Sequence, residues 1–121
     1  MPKKILLIED DADNRELIRD LLQDEGYTVV VAENGRAALE RLRANPDLAM
    51  ILLDLRMPEM DGFEFREKQL EDPRIAGIPV IACTADANVE SLIAKLRLKA
   101  TIRKPFSAEH LLEVLRQHAP P

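Results

Sequence analysis

The stretch ILLIED, residues 5–10, decides the fold, because a run of four apolar residues ends abruptly at two acids. Three further apolar runs have the same form, at residues 51–53, 80–83 and, more weakly, 100–102. Short bounded apolar runs separated by helix-like segments are typical of buried parallel strands in an α/β sheet. Ligand sites in such sheets lie just outside the carboxyl ends of the strands. The polar residues that follow the runs are therefore expected to meet at one edge of the sheet.

The polar residues that follow the four runs are Glu9, Asp10, Asp54, Thr84 and Lys104. The three acids would repel one another at one edge unless a cation lay between them. A hard cation that keeps several waters and binds one or two carboxylates plus a phosphate is Mg²⁺. A single acid after a strand is more simply a solvated charge, but the combination favours a site for a divalent cation and an anion.

The composition indicates one soluble globular domain over residues 1–121, without an output domain. A chain of 121 residues can form one core, and 46% hydrophobic with 32% charged residues excludes a disordered chain. No apolar stretch has the length of a membrane span, and the acids come too early for a signal peptide. A single cysteine cannot form an internal disulfide, which favours the cytoplasm. The net charge of −5 argues against generic nucleic-acid binding.

Strands and helices alternate five times along the chain. Strands are predicted at about residues 4–8, 28–32, 50–53, 79–83 and 100–103. Helices are predicted at about residues 12–24 and 89–96, after the caps Asn34 and Ser107, and from about Asp61. The third helix is poorly amphipathic, and its few apolar anchors are Phe63, Phe65 and Leu70. Strict alternation implies a doubly wound sheet with right-handed crossovers, but it leaves the order of the strands open.

The segments LLIEDD, LLDLRMPEMDGFEF, IACTAD and IRKPFS, in this order, resemble the receiver domain of two-component response regulators. The resemblance runs from about Lys3 to the last helix, and the ordered set is highly specific. It implies a flavodoxin-like sheet of five parallel strands in the order 2-1-3-4-5, with five helices. It also implies a single-domain protein, similar to chemotaxis regulators, that receives a phosphoryl group from a histidine kinase or phosphotransfer protein. The signal would then pass to a downstream protein through the face of helix 4, strand 5 and helix 5.

The resemblance also implies a role for each residue of the site. Asp54 is the phosphorylated residue, and Asp54 and Asp10 bind Mg²⁺ directly. Glu9 binds the ion through water, and the backbone carbonyl of Arg56 is a further ligand. The Thr84 hydroxyl and the Lys104 ammonium contact phosphoryl oxygens, and the peptide bond between Lys104 and Pro105 is cis. Such a protein assists its own phosphorylation and dephosphorylation and is not otherwise an enzyme.

Three features depart from the family pattern. Thr101 takes the position, three before Lys104, that is generally aromatic and moves with Thr84 during switching. The interval from Thr84 to Lys104 is short and Arg97-Leu98 replaces the usual Gly-Ala, so helix 4 is expected to be truncated or re-angled. Five cations lie within ten residues of this acidic chain: Lys95, Arg97, Lys99, Arg103 and Lys104. They form either a solvated basic face or a docking surface for an acidic partner.

Two rival functions stay open. A receiver-like docking module that is never phosphorylated would suit the missing aromatic residue and the altered helix 4, although the five site residues argue against it. An aspartyl-phosphate phosphohydrolase would need a second acid–base carboxylate and a substrate cap, and no insertion is long enough for a cap.

Two side-chain arrangements are also open. The apolar stripe of helix 1 is wider than a single line of contacts with the core needs. It is either fully buried or partly exposed, and an exposed part, beside Asn14, would dock the kinase. Its members are Leu17, Ile18, Leu21 and Leu22. Arg56 and Asp86 are expected to flank the mouth of the pocket, either as an ion-paired lid or pointing into solvent.

Overall fold

The computed structural model describes residues 3–55, 61–85 and 88–120. Strands and helices alternate strictly along this part of the chain. The elements are β1 (Lys4–Ile8), α1 (Ala12–Asp24), β2 (Thr28–Ala32), α2 (Gly35–Ala44), β3 (Met50–Asp54), α3 (Gly62–Glu71), β4 (Val80–Thr84), α4 (Val89–Leu96), β5 (Ala100–Arg103) and α5 (Ala108–His118). The predicted bounds are confirmed to within one residue. β3 and β4 each extend one residue further than predicted and so include Asp54 and Thr84.

The strands form one parallel sheet in the order β2-β1-β3-β4-β5, as the family resemblance implied. Neighbouring strands pair in register up to their carboxyl ends, since Ile8 pairs with Leu53 and Asp54 with Cys83. On the other side of β4, Thr84 pairs with Arg103 of the edge strand β5. This register brings the polar ends of β1, β3, β4 and β5 to one edge.

Helices cover both faces of the sheet, and the core is accordingly divided into two clusters. Alternate strand residues belong to opposite clusters because successive side chains of a strand point to opposite faces. Leu6 and Ile51 pack in the cluster that includes residues of α2, α3 and α4, whereas Ile5 and Leu52 pack in the one that includes residues of α1 and α5. These four side chains are at most 1% exposed. Burying each of these side chains stabilises the fold by about 1.5–3 kcal/mol. This packing holds the strands in the arrangement that brings the site residues to one edge.

Side-chain caps place four of the helix N-termini. An oxygen of each cap accepts a hydrogen bond from the backbone N–H three residues later, which satisfies a donor that the helix leaves without a partner. The caps are Asp11, Asn34, Asp61 and Ser107. The predicted caps Asn34 and Ser107 are therefore confirmed. Asp11 starts α1 directly after the acids Glu9 and Asp10.

Gly62 allows α3 to begin against the end of β3. A Cβ atom at this position would lie 2.7 Å from the Leu55 Cα and 3.1 Å from the Asp54 carbonyl oxygen. Real Cβ atoms do not approach a backbone this closely, so the contact requires glycine. The Gly62 N–H donates to the Leu55 carbonyl at 3.2 Å, which ties the helix start to the residue after Asp54.

α4 is the shortest of the described helices, with eight residues. Whether it is truncated or re-angled relative to the family pattern stays a prediction. Arg97 ends it in the left-handed conformation, with φ 53° and ψ 47°. Glycine usually takes this position after a helix because it has no Cβ. No helix in the described part of the chain combines the length and apolar character needed to cross a membrane.

Candidate functional site

The acids form the centre of the site. One carboxylate oxygen from each of Glu9, Asp10 and Asp54 lies within 4.8 Å of the others. Asp54 ends the central strand β3 and is 7% exposed, Glu9 follows β1 and is 6% exposed, and Asp10 is exposed. Three hard oxygen donors so close together, two of them buried, suit a small divalent cation such as Mg²⁺. The sequence prediction that these acids meet is therefore confirmed.

The crowding of the acids changes the protonation of Glu9. Burial raises the pKa of Glu9 from 4.5 to about 7, because desolvation disfavours a carboxylate. Burial is the largest cause of this rise in pKa, and a hydrogen bond with Asp10 and the negative charge of Asp54 contribute to it. The backbone N–H of Asp11, 3.3 Å from Glu9 Oε2, acts in the opposite direction. Without a cation, Glu9 therefore holds a proton near neutral pH in part of the molecules.

Lys104 supplies the positive charge of the site. Its Nζ lies 3.0 Å from Asp54 Oδ2, with the lysine side chain 35% exposed and the aspartate side chain 8% exposed. Burial lowers the pKa of Lys104, but the hydrogen bond to Asp54 and the charges of Asp54 and Glu9 outweigh this effect and raise it. The peptide bond between Lys104 and Pro105 is cis, as the family resemblance implied.

Thr84 is the buried hydroxyl residue at the end of β4. It is 4% exposed, and it follows Cys83, the residue that pairs with Asp54. The backbone N–H of Lys104 donates to the Thr84 carbonyl at 2.9 Å, so the ends of β4 and β5 are directly joined. Cys83 itself is buried, and burial raises the pKa of its thiol to about 12, so it serves as apolar filling.

Arg15 is a further residue of the site that the sequence patterns did not reveal. Its Nη1 donates to the Glu9 carbonyl at 2.9 Å, and the Asp10 carbonyl lies at 3.5 Å. The guanidinium thus fixes the backbone that carries two of the acids. The sequence signal for it is a cation in the first turn of a helix that starts beside acids, since helix N-termini ordinarily favour acids.

A cavity of about 500 Å³ adjoins the site on the side of α1 and the start of α5. Its lining includes Glu9, Asn14, Leu17, Leu21, Lys104 and Phe106. Leu17 is 61% exposed and Leu21 is half-buried, whereas Ile18 and Leu22 are buried. Part of the stripe on α1 is therefore exposed, and the alternative of a fully buried stripe is wrong. Leu17 is the one large hydrophobic residue that is exposed in the described chain.

Two predicted features of the site lie outside the described residues. Arg56 falls in residues 56–60 and Asp86 in residues 86–87, which the structure does not describe. The predicted carbonyl ligand at Arg56 and the lid of Arg56 and Asp86 therefore stay predictions. Thr101 is described, and it lies half-buried on β5 opposite Ala82.

Comparison with known proteins gives consistent matches over nearly the whole chain. The family model described as the response regulator receiver domain matches residues 5–116. The polar-differentiation response regulator DivK of Brucella anthropi is 36% identical over 121 residues, which cover 98% of this chain and 97% of the relative. The structure of the chemotaxis protein CheY4 of Vibrio cholerae matches with a TM-score of 0.88 at 28% identity, over 98% of this chain and 99% of that one.

A response regulator receiver protein from Pseudomonas putida matches with a TM-score of 0.86 at 24% identity, over 97% of this chain and 98% of that one. This likeness concerns the fold alone. The family model and the DivK relative each cover far more than half of the chain and include all the acids of the site. The chain therefore belongs to the family of response regulator receiver domains in two-component signalling.

Proposed function

We propose that this receiver domain is a phosphoacceptor, which takes a phosphoryl group from the phosphohistidine of a histidine kinase or phosphotransfer protein onto Asp54. The arrangement of charged groups around Asp54 supports the proposal. Lys104 Nζ lies 3.0 Å from one of its oxygens, and the carboxylates of Glu9 and Asp10 lie within 4.8 Å. A nucleophilic carboxylate needs neighbours of both kinds. The acids bind a cation, and the ammonium binds the incoming phosphoryl group.

The reaction exchanges one bond to phosphorus for another. An oxygen of Asp54 forms a bond to phosphorus, and the bond from phosphorus to the donor imidazole breaks. The electron pair of that bond stays on the imidazole nitrogen, which takes a proton from solvent. Asp10 and Asp54 would hold Mg²⁺ directly and Glu9 would hold it through water, and the ion would supply positive charge that offsets the carboxylates and the phosphoryl oxygens.

Lys104 and Thr84 bind the transferred group. The Lys104 ammonium moves from the Asp54 oxygen to a phosphoryl oxygen, where its point charge is again paired. The Thr84 hydroxyl donates to another phosphoryl oxygen. Later hydrolysis of the acyl phosphate returns a free Asp54 carboxylate. The protein thus promotes its own phosphorylation and dephosphorylation and has no separate substrate.

The signal leaves through the face of α4, β5 and α5. The backbone hydrogen bond from Lys104 to Thr84 joins the ends of β4 and β5, which lead into α4 and α5. A shift of these two residues toward the phosphoryl group therefore changes the relative populations of two arrangements of that face. Thr101, which lies on β5 three residues before Lys104, is a third residue of this switch.

The partners follow from the same surfaces. The exposed Leu17 and the cavity beside it accept the helical domain of the kinase that carries the phosphohistidine. The downstream target is a protein, because a net charge of −5 disfavours nucleic acid and anionic membranes. The reducing cytoplasm, where histidine kinases present their phosphohistidine, suits a chain with one buried cysteine.

Mass spectrometry after incubation with acetyl phosphate and Mg²⁺ tests the proposal. A phosphoryl adduct on Asp54 that accumulates and then decays is the expected result. The absence of any adduct would support the alternative, a docking module that is never phosphorylated, which Thr101 and the short α4 favour. Sustained turnover of acetyl phosphate at the rate of an enzyme, without an accumulating adduct, would instead indicate a phosphohydrolase.

A further inference from the structure

α3 buries two polar side chains that the chemistry at Asp54 does not use. Arg66 is 4% exposed, and Gln69 is fully buried. No carboxylate in the described part of the chain forms an ion pair with Arg66. A buried cation without a carboxylate is costly unless its N–H groups are hydrogen-bonded. The groups that accept from Arg66 therefore indicate what this charge does in the fold.

Two of these acceptors lie at the C-terminal end of α4. Arg66 Nε and Nη2 donate to the carbonyls of Leu96 and Arg97 at 2.8 and 2.9 Å. The last carbonyls of a helix have no partner within the helix and lie at the negative end of its dipole, so a cation is favoured there. One guanidinium thus joins α3 to the end of α4.

Gln69 orients the guanidinium from the side of α3. Arg66 Nη1 donates to Gln69 Oε1 at 2.6 Å, and Gln69 Nε2 donates to the carbonyls of Ile75 and Ile78 at 2.9 and 3.0 Å. No buried side-chain nitrogen or oxygen among the described residues lacks a hydrogen-bond partner. A buried polar network that is fully paired is rigid and specifies one arrangement of the groups that it joins.

The end of α4 that Arg66 holds has a strained backbone. Arg97 adopts φ 53° and ψ 47°, a conformation that its Cβ disfavours and that persists only when the surrounding structure maintains it. Leu96 and Leu98, on either side, are buried in the core, and the Leu98 N–H donates to the Ile93 carbonyl at 3.0 Å. The hydrogen bond from Arg66 to the Arg97 carbonyl acts directly on the strained residue.

The start of α4 is built differently. Of the five helices in the described part of the chain, α4 alone begins without a side-chain cap. The helix begins at Val89, five residues after Thr84 ends β4. The last turn of this short helix is therefore fixed to α3, whereas its first turn follows the strand that ends at the site.

We propose that Arg66 and Gln69 act as a clamp, the α3–α4 clamp, which fixes the C-terminal end of α4 and leaves its first turn as the end that moves. An apolar side chain could fill the same space at similar stability, but only N–H groups aimed at the carbonyls specify one arrangement. Arg66 is thus a positioning residue that acts through the backbone of Leu96 and Arg97. That phosphorylation drives the movement of the first turn rests on the proposed function.

Hydrogen exchange in the unphosphorylated protein tests the clamp without phosphoryl chemistry. The Leu92, Leu98 and Lys99 amides each donate a backbone hydrogen bond, so their protection factors can be compared directly. We expect Leu98 and Lys99 to be at least about tenfold better protected than Leu92, because local opening should start at the unclamped turn. Equal protection of the three amides, or better protection of Leu92, would overturn the proposal.

Arg66→Leu removes the clamp while an apolar side chain still occupies the space. The protection of Leu98 should fall at least about tenfold relative to that of Leu7 in β1, a ratio that corrects for any change in global stability. Arg74→Leu is the matched control, since it removes an arginine that is paired with Asp72 instead. An unchanged ratio in Arg66→Leu, or an equal fall in the control, would contradict the clamp.

Arg97→Gly separates a positioning role from simple filling of the core. Glycine adopts the left-handed conformation without the cost of a Cβ, so Arg66→Leu combined with Arg97→Gly should recover most of the lost protection at Leu98. The absence of recovery would mean that Arg66 does not position this backbone. Gln69→Leu, which removes one partner of Arg66 and keeps its charge, replaces Arg66→Leu in both comparisons if that variant does not fold.

Amide chemical shifts after addition of acetyl phosphate and Mg²⁺ show which end of α4 responds. In the parent, the changes should be largest at residues 89–92 and small at residues 96–98, and in Arg66→Leu they should extend through residue 98. Equal changes along α4 of the parent would overturn the proposal. If Asp54 takes no phosphoryl group, the proposed function fails, whereas the exchange data alone decide whether the clamp exists.

Discussion

Lys104 Nζ and Asp54 Oδ2 lie 3.0 Å apart, so the ammonium that would bind the phosphoryl group is paired with the acceptor carboxylate before transfer. Phosphorylation replaces the carboxylate with an acyl phosphate, whose charge lies on its terminal oxygens. The lysine must follow that charge, and Thr84 lies on the neighbouring strand. Chemistry at Asp54 is thereby connected to the ends of β4 and β5.

Lys104→Ala and Thr84→Ala should separate phosphorylation from the conformational response. Each variant keeps the nucleophile and the acids, so we expect phosphorylation by acetyl phosphate to persist at a reduced rate. The shift of α4, β5 and α5 amide signals on phosphorylation should be lost, because each variant lacks one of the two side chains that must move together toward the phosphoryl group. A variant whose amide signals respond like those of the parent would show that the removed residue does not transmit the change.

The raised pKa of Glu9 predicts the pH dependence of Mg²⁺ binding. Because the folded protein holds this proton up to about pH 7 and the unfolded chain up to about 4.5, its contribution to stability is present at low pH. That contribution is lost as the pH rises from about 4.5 to about 7 in metal-free protein. Mg²⁺ favours the deprotonated cluster, so its affinity should increase over the same window and then level off.

Calorimetry at several pH values measures this dependence. Below pH 7, Mg²⁺ binding should release protons into the buffer, and Glu9→Gln should remove most of that release near neutral pH. An unchanged proton release in Glu9→Gln would mean that another group titrates in this window.

Leu17→Ser tests whether the exposed part of α1 docks the kinase. Leu17 is 61% exposed, so its substitution should leave stability nearly unchanged. Transfer from a phosphorylated histidine kinase should slow, because apolar contact with the donor is lost, whereas phosphorylation by acetyl phosphate should not. Leu21→Ser should act in the same way, and Leu70→Ser, at a half-buried position on α3, is its matched control. Equal slowing with both donors would exclude a docking role.

Arg97→Gly and Arg97→Ala remove the same side-chain contacts but differ in backbone freedom. At φ 53°, glycine avoids the steric cost of a Cβ, so Arg97→Gly should unfold at higher urea concentration than Arg97→Ala. The difference in the free energy of unfolding should be about 1 kcal/mol. Equal midpoints would mean that the backbone at the end of α4 readjusts when the Arg97 side chain is removed.

The strands and the meeting of the acids could be predicted because a parallel sheet is buried on both faces. Its strands appear in the sequence as short apolar runs, and the residue after each run must lie at the ligand edge. Asp54 and Thr84, each taken as the residue following a run, proved to be the last residue of its strand. The strand order itself came from the family resemblance, since alternation alone leaves it open.

The contacts of Arg66 and Arg15 could not be predicted from the sequence. Arg66 of α3 donates to carbonyls at the end of α4, which is distant in sequence. Arg15 donates to the carbonyl of Glu9, whose position depends on the path of the backbone. α3 looked poorly amphipathic since two of its buried residues, Arg66 and Gln69, are polar. The expected anchor Leu70 is only half-buried. A pattern of apolar residues cannot reveal a face that is buried through hydrogen bonds to the neighbouring helix.

The identity of the phosphorylated residue is the central claim, and Asp54→Asn tests it most directly. Parent and variant are incubated with acetyl phosphate and Mg²⁺, and intact mass is measured before and after treatment with hydroxylamine, which cleaves acyl phosphates. The parent should gain one phosphoryl group that hydroxylamine removes, while Asp54→Asn should gain none and keep the amide spectrum of a folded receiver domain. A hydroxylamine-labile phosphoryl group on a folded Asp54→Asn would contradict the account, because another carboxylate would then be the acceptor.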